Sequence, residues 1–134
     1  MNNTDISMDV AIIGMAGKFP GAENIQKLWD NLCQKVDVRQ DFSDEDLKPF
    51  TKDMSKIDKD DFVRKGYRIK DVDKFDAKFF NLTPKQAKIL DPQHRLFLET
   101  AWQGLESAGY ASTEESQHIG VYAGSNFNNY ILLD

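Results

Sequence analysis

Three side chains in this sequence are of types that could carry nucleophilic or metal chemistry: Cys33, His94 and His118. A nucleophilic cysteine needs a positively charged or helix N-terminal setting that stabilises the thiolate. Cys33 falls near the C-terminal end of a predicted helix, where the helix dipole disfavours negative charge, so we predict a half-buried structural cysteine. The histidines fall on different elements, without further ligands at metal spacing, and cannot be matched to Cys33 as a catalytic pair. We therefore predict no metal site.

The glycine-rich segment Gly14–Gly21 could bind phosphate, because open backbone N–H groups in front of a helix bind anions. Its spacing fits neither the P-loop, which needs Gly-Lys-Ser/Thr after four residues, nor the Gly-x-Gly start of a dinucleotide site. Phe19 and Pro20 would also fill the space that a phosphate requires. The segment therefore favours a structural turn, and a small nucleotide-binding domain stays open as a weaker alternative.

A compact motif of Asp91, Pro92, Gln93 and Arg95 stands where a long helix is predicted to begin. Asp is a favourable N-cap residue and Pro a favourable first helical residue. Asp91 and Arg95 are four residues apart, a spacing that predicts a local ion pair. The motif therefore indicates a structural role at the helix start rather than acid–base catalysis.

The elements that must position these residues follow a strand–helix–strand pattern. The apolar runs Val10–Ile13 and Ile119–Gly124 are typical of strands buried on both faces. Between them, capping residues predict four helices, which begin after Asn24, Ser43, Thr83 and Asp91. Strands joined by helices imply a mostly parallel sheet flanked by helices. Sheets usually contain about five or six strands, so the pattern predicts an incomplete α/β domain.

The apolar spacing also gives finer expectations. The first helix is predicted to end near Lys35, the third near Leu90, and the long helix at Gly109. Trp29 and Trp102 fall on apolar helical stripes and are predicted core residues. Phe75, Phe79 and Phe80 also need a core, and the alternation of Tyr67 and Ile69 predicts a short edge strand.

Length and composition exclude several classes of protein. The chain has 134 residues, a net charge of −5, 40% hydrophobic residues and one cysteine. This size suits one domain, the acidic balance gives no footprint for nucleic acid, and a disulfide framework is excluded. No apolar run approaches the ~18 residues of a membrane span. We predict a cytoplasmic protein with a polar flexible arm at 1–8 and a charged surface excursion at about 41–74.

Several blocks of the sequence resemble, in the same order, the β-ketoacyl synthase (ketosynthase) domain of modular polyketide synthases. The resemblance extends from about Asp9 to Asp134, nearly the whole chain. Its main blocks are Val10–Ala22, Leu28–Leu32, Phe75–Pro84, Asp91–Glu99, Ala101–Glu106, Ala108–Tyr110 and Gly120–Ser125.

The resemblance implies a thiolase-like fold, two similar α/β halves stacked in five αβαβα layers, normally assembled as a homodimer. It also implies an acyltransferase activity. The family transfers an acyl chain from an acyl carrier protein to an active-site cysteine and then performs a decarboxylative Claisen condensation, assisted by two histidines. Its substrates are phosphopantetheine thioesters on the carrier protein, and no cofactor is expected to bind directly.

In the family, the catalytic cysteine and histidines lie downstream of the block that matches Gly120 to Tyr130. The resemblance therefore gives no catalytic role to Cys33, His94 or His118, and it leaves Asp91–Arg95 as a structural motif. We expect residues 9–134 to be the N-terminal portion of a ketosynthase, inactive alone and completed by the remainder of that domain. The alternative is a stand-alone interaction or dimerisation module derived from the same fold.

Overall fold

The computed structural model describes residues 9–51, 53, 55, 62–111 and 118–126. The expected arm at 1–8 lies outside these residues. The described chain divides into two compact units, one formed by Lys18–Val72 and the other by the residues on either side of that range. The elements are α1 (Ile25–Cys33), β1 (Gln40–Asp41), α2 (Asp44–Leu47), a 3-10 turn (Lys48–Phe50), β2 (Lys65–Gly66), α3 (Pro84–Ile89) and α4 (Pro92–Ala108).

All four predicted helix starts are confirmed by side-chain caps. The Asn24 side chain accepts a hydrogen bond from the Lys27 backbone N–H at 2.8 Å. Ser43 and Thr83 each form the reciprocal capping box with the residue three positions on, and Asp91 caps α4. These side chains accept from N–H groups that have no partner inside the helix, which fixes where each helix begins.

The helix ends follow the sequence closely. Helix α4 ends at Ala108 and is stopped, as predicted, by Gly109, whose φ of 79° is the left-handed conformation that favours glycine after a helix. Helix α3 ends at Ile89, next to the predicted Leu90, and α1 ends at Cys33, two residues before the predicted Lys35. Lys35 adopts a positive φ of 55°, which is incompatible with continuing the helix.

In the unit Lys18–Val72, the end of the glycine-rich segment forms a closed turn. The Phe19 N–H donates to the Ala22 carbonyl at 2.7 Å, and the Ala22 N–H donates back to the Phe19 carbonyl at 3.0 Å. The side chain of Asn31 donates to the Gly21 carbonyl at 3.0 Å and is buried. These two N–H groups are thus committed within the turn, as a structural turn requires.

The same unit contains a short antiparallel ladder in which Gln40 pairs with Gly66 and Asp41 with Lys65. The Phe42 N–H extends the ladder by donating to the Arg64 carbonyl at 2.8 Å. The edge strand predicted at Tyr67 and Ile69 is therefore misplaced, because the pairing lies at Lys65–Gly66. Tyr67 and Ile69 alternate with polar residues but are not in a strand. Alternation of side chains does not determine which backbone groups form hydrogen bonds to a neighbouring strand.

In the other unit, aromatic rings contact one another and α4. The Phe75 and Phe80 rings stack with centroids 5.1 Å apart, and Phe79 packs edge-on against both Phe80 and Trp102 at 4.9 and 5.0 Å. Trp102 is half-buried in this cluster. These contacts confirm that the three phenylalanines pack together after the charged excursion and that Phe79 contacts Trp102. Phe79 is still 51% exposed, so the core expected around it is not formed by the described residues.

The segment before Lys18 approaches α4 closely at Gly14. A Cβ atom at Gly14 would lie 2.7 Å from the Gly104 carbonyl oxygen and 2.9 Å from the Ala108 Cβ. Real Cβ atoms do not approach other atoms this closely, so the contact requires a residue without a side chain at position 14.

Three further sequence predictions about burial are wrong for this structure. Residues 10–13 and 119–124 form no ladder among the described residues, and Val10 and Tyr122 are 92% and 99% exposed. A strand buried on both faces needs paired neighbours and covering helices, and the described residues supply neither around these runs. Trp29 is 62% exposed rather than core, because the half-buried side of α1 is formed by Ile25 and Leu28 while Trp29 and Leu32 lie outside it.

Candidate functional site

The motif singled out by the sequence places two buried charged residues, Asp91 and Arg95, at the start of α4, while Gln93 between them is exposed. Asp91 and Arg95 are only 4% and 7% exposed. The Oδ1 atom of Asp91 accepts a hydrogen bond from the Gln93 backbone N–H at 2.7 Å, and Pro92 occupies the first helical position. A buried carboxylate that satisfies a helix N-terminal N–H also interacts favourably with the helix dipole.

Arg95 extends from the same helical turn to a different part of its unit. Its Nη1 donates to the Asp73 carbonyl at 3.3 Å, which ties α4 to the residue that precedes the aromatic cluster. The expected ion pair between Asp91 and Arg95 is not among the ion pairs between described residues, so that prediction is wrong. The physical reason is that capping draws both Asp91 oxygens toward Gln93 while Arg95 extends to Asp73.

Gln93 is the motif residue whose contacts the sequence did not indicate. Its Oε1 accepts a hydrogen bond from the Asn126 backbone N–H at 3.1 Å, across 33 residues of sequence. Its Nε2 donates to Asp91 Oδ2 at 3.5 Å. Helical periodicity and capping rules relate residues within one turn, so no pattern in the sequence could have linked Gln93 to Asn126 or Arg95 to Asp73.

The residues that could carry nucleophilic or metal chemistry lie on three separate elements. Cys33 is the last residue of α1 and is exposed, which corrects the half-buried position expected from the sequence. It belongs to a different compact unit from His94, which is half-buried in the first turn of α4, and His118, which is exposed. Within the described ranges, no three His, Cys, Asp or Glu side chains group as metal ligands would.

A second charged arrangement lies on the surface of Lys18–Val72, within the predicted excursion. Three basic residues of 64–68 pair with three acidic residues of 41–46: Arg64 with Asp44, Lys65 with Asp41 at 3.4 Å, and Arg68 with Asp46 at 3.0 Å. We call these six residues the ionic strap. The pairs are largely exposed. Lys65 and Asp41 are opposite residues of the ladder, so their ion pair reinforces its pairing, and the other two pairs connect Arg64 and Arg68 to α2.

Hydrogen bonds shift the acidity of two exposed carboxyl groups here. The Ser43 hydroxyl and backbone N–H hold the pKa of Asp46 below its ordinary value, and Arg68 adds to the effect. The Arg39 guanidinium, which donates from Nε to both Asp37 oxygens, lowers the pKa of Asp37 from 3.8 to about 2. Both groups are stabilised as carboxylates, which is the form that pairs with arginine and not the form that would donate a proton.

Comparison with known proteins gives the class to which this fold and motif belong. The family model described as β-ketoacyl synthase, N-terminal domain, matches residues 7–134. The polyketide synthase PksM of Bacillus subtilis is 36% identical over 98% of this chain and 3% of its own length. The cluster 41 polyketide synthase of Aspergillus flavus is 36% identical over the whole of this chain and 12% of its own length.

Solved structures agree with the sequence relatives. The ketosynthase from module 6 of the bacillaene synthase of Bacillus subtilis is similar with a TM-score of 0.63 and 34% identity, over 74% of this chain and 16% of that chain. Ketosynthase twelve from the bacillaene synthase of Bacillus amyloliquefaciens has a TM-score of 0.62, with 72% and 17% covered. The likeness confirms the expected incomplete, thiolase-like α/β fold.

The chain belongs to the β-ketoacyl synthase family. Within that family it corresponds to the N-terminal portion of a polyketide synthase ketosynthase. It spans only a small share of the relatives that it matches. None of the helices among the described residues combines the length and apolar composition of a membrane span.

Proposed function

We propose that this chain supplies scaffold to a ketosynthase whose nucleophilic cysteine and two histidines lie on residues outside it. The completed domain would transfer an acyl chain from a carrier protein and perform decarboxylative Claisen condensation, as an acyltransferase of polyketide biosynthesis. The chain alone would be inactive. The family match over residues 7–134 supports the class of reaction.

The observation that carries the scaffold role is the setting of Cys33. It is the last residue of α1, at the opposite end from the helix N-terminus, and α1 has no basic residue in its last turn, so neither of the two settings that activate a cysteine is present in this helix. Acyl transfer to a cysteine requires that thiolate as the attacking group. Cys33 therefore lacks the setting that the chemistry needs, although it is exposed to solvent.

The completed domain would have the substrates and partners of a ketosynthase. The substrates are phosphopantetheine thioesters presented by an acyl carrier protein, and no cofactor binds directly. The remainder of the ketosynthase domain covers the apolar residues left exposed here, among them Val10, Ile12 and Val121. The completed enzyme is a cytoplasmic homodimer, with neither a nucleic acid nor a membrane among its ligands.

The test is acylation of the chain by an acyl carrier protein loaded with a thioester. Intact-mass spectrometry of the full chain should show no added acyl mass under conditions in which a complete ketosynthase is fully acylated. The Cys33→Ser variant is the matched control, because it removes the one thiol and should give the same spectrum. An acyl adduct on wild-type chain that is missing from Cys33→Ser contradicts the scaffold role.

The second candidate, a stand-alone interaction or dimerisation module, is favoured by the apolar residues exposed on both units. Trp29 and Leu32 are exposed in one unit, and Val10, Val121 and Tyr122 in the other. Exposed apolar surface of this kind drives association. This candidate predicts a defined dimer whose population rises with concentration in light scattering, and a monomer at every concentration would contradict it.

A further inference from the structure

Gln93 connects two segments through the two ends of one side-chain amide. Its carbonyl oxygen Oε1 accepts from the Asn126 N–H at 3.1 Å. Its amino group Nε2 donates to Asp91 Oδ2 at 3.5 Å, while Asp91 Oδ1 accepts the backbone N–H of the same residue at 2.7 Å. Asp91, Gln93 and Asn126 therefore form a continuous chain of hydrogen bonds.

The order of donors and acceptors in this chain has a chemical cause. A glutamine amide has one end that only accepts and one that only donates, and an ionised carboxylate only accepts. The buried Asp91 carboxylate therefore selects the amino end of Gln93, and the carbonyl end turns toward Asn126. A backbone N–H can only donate, so it is matched by that end alone.

We propose that Asp91 and Gln93 act as a positioning relay: Asp91 sets the orientation of the Gln93 amide, and Gln93 holds the backbone of 124–126 in place. A helix cap needs only the Asp91 Oδ1 contact, and Asn would cap as well as Asp. The relay also needs the second oxygen, since it is Oδ2 that receives the Gln93 amino group. The identity of residue 91 thus affects a segment that it does not contact.

Protection of the Asn126 amide against hydrogen exchange, measured by NMR on the full chain, tests the relay. Gln93→Met keeps the length and helix propensity of the side chain but cannot accept the hydrogen bond. We expect Asn126 protection to fall about fivefold, the loss of one hydrogen bond of ordinary strength. The control is Gln103→Met, at an exposed glutamine of the same helix, which should leave Asn126 protection unchanged.

Asp91→Asn separates the relay from the cap. The Asn side chain still caps α4, but its amino group faces the Gln93 amino group, so the Gln93 amide rotates and presents a donor to the Asn126 N–H. Asn126 protection should fall about as far as in Gln93→Met, with helical circular dichroism unchanged.

Each result decides the proposal. Unchanged Asn126 protection in Gln93→Met overturns the relay, and an equal loss in Gln103→Met overturns it by assigning the effect to general fraying of α4. Unchanged protection in Asp91→Asn overturns the orienting role of the carboxylate. If Gln93→Met loses its helical signal, the Asp91→Asn result alone decides, because that variant keeps the cap.

Discussion

The ionic strap and the start of α4 both contain carboxylates and basic groups, but their partners and surroundings differ. In the strap, charged side chains pair with one another while largely exposed to solvent. At the start of α4, Asp91 and Arg95 are buried and bind backbone groups instead, the Gln93 N–H and the Asp73 carbonyl. Exposed pairs contribute little because water and salt screen them, whereas buried charges must be satisfied in full.

The two regions should therefore differ in how much a single mutation lowers the free energy of unfolding. When a buried charged group loses its hydrogen-bond partner, its lost hydration is no longer compensated, and the free energy of unfolding falls. When an exposed ion pair is broken, both ions are hydrated by water, so the free energy of unfolding changes little. We therefore expect the unit that contains α4 to respond to single substitutions and the strap to respond mainly to salt.

The largest effect is expected from Arg95→Ala. It removes a buried guanidinium that donates to the Asp73 carbonyl and leaves a cavity beside it, so the free energy of unfolding should fall by about 3 kcal/mol. Denaturant titration measures it. Lys85→Ala, an exposed cation on α3 in the same unit, should change stability by less than about 0.5 kcal/mol. Equal losses in the two variants would show that burial does not separate these charges.

The next effect concerns the close contact between Gly14 and α4. Gly14→Ala would place its Cβ 2.7 Å from the Gly104 carbonyl oxygen and should lower the free energy of unfolding by about 2 kcal/mol. Gly104→Ala is the matched control, because a Cβ at position 104 would meet only the Ala16 Cβ, at 4.0 Å. This substitution also replaces a glycine within a helix by a better helix former. It should stabilise by about 0.5–1 kcal/mol. If both substitutions changed the free energy of unfolding in the same direction, the close packing of Gly14 against α4 would be contradicted.

The helices were predictable from the sequence because their causes are local. A cap residue, a proline at the first helical position and a terminal glycine act within one turn, and Asn24, Thr83 and Gly109 do what these rules require. The strands at 10–13 and 119–124 were predicted from apolar composition. That composition marks residues that can be buried, but it does not supply the neighbouring strands that bury them.

The candidate site was predictable only in its location. The residue types of Asp91–Arg95 identified a helix start, but the contacts to Asp73 and Asn126 span 22 and 33 residues. The i, i+4 rule suggested an Asp91–Arg95 pair because it treats both side chains as exposed on one helix face. Burial changes the preferred partners, because buried backbone groups nearby also need hydrogen bonds, and the carboxylate and the guanidinium supply them.

Salt should loosen the strap and leave α4 unaffected. At about 1 M NaCl the screening length falls to about 3 Å, so the pairs of Arg64, Lys65 and Arg68 weaken. Exchange of the Phe42 amide, which donates to the Arg64 carbonyl, should accelerate by about two- to threefold. The Asn126 amide in the other unit is the internal control. An equal acceleration at both amides would mean that salt acts on the whole chain rather than on the strap.

The smallest effect is a shift in the titration of Asp37, whose carboxylate is bound by Arg39. Because the pKa is lowered from 3.8 to about 2 in the folded chain, the interaction contributes stability above pH 3.8 and loses it as the pH falls toward 2. Arg39→Gln should return the pKa of Asp37 toward 3.8, and Arg39→Lys, which keeps the charge but not the planar fork, should give an intermediate value. Carboxyl-carbon NMR titration measures all three forms. If the pKa of Asp37 were the same in Arg39→Lys and in the wild type, charge alone would set it. That result would contradict the dominant role of the side-chain hydrogen bonds from Arg39.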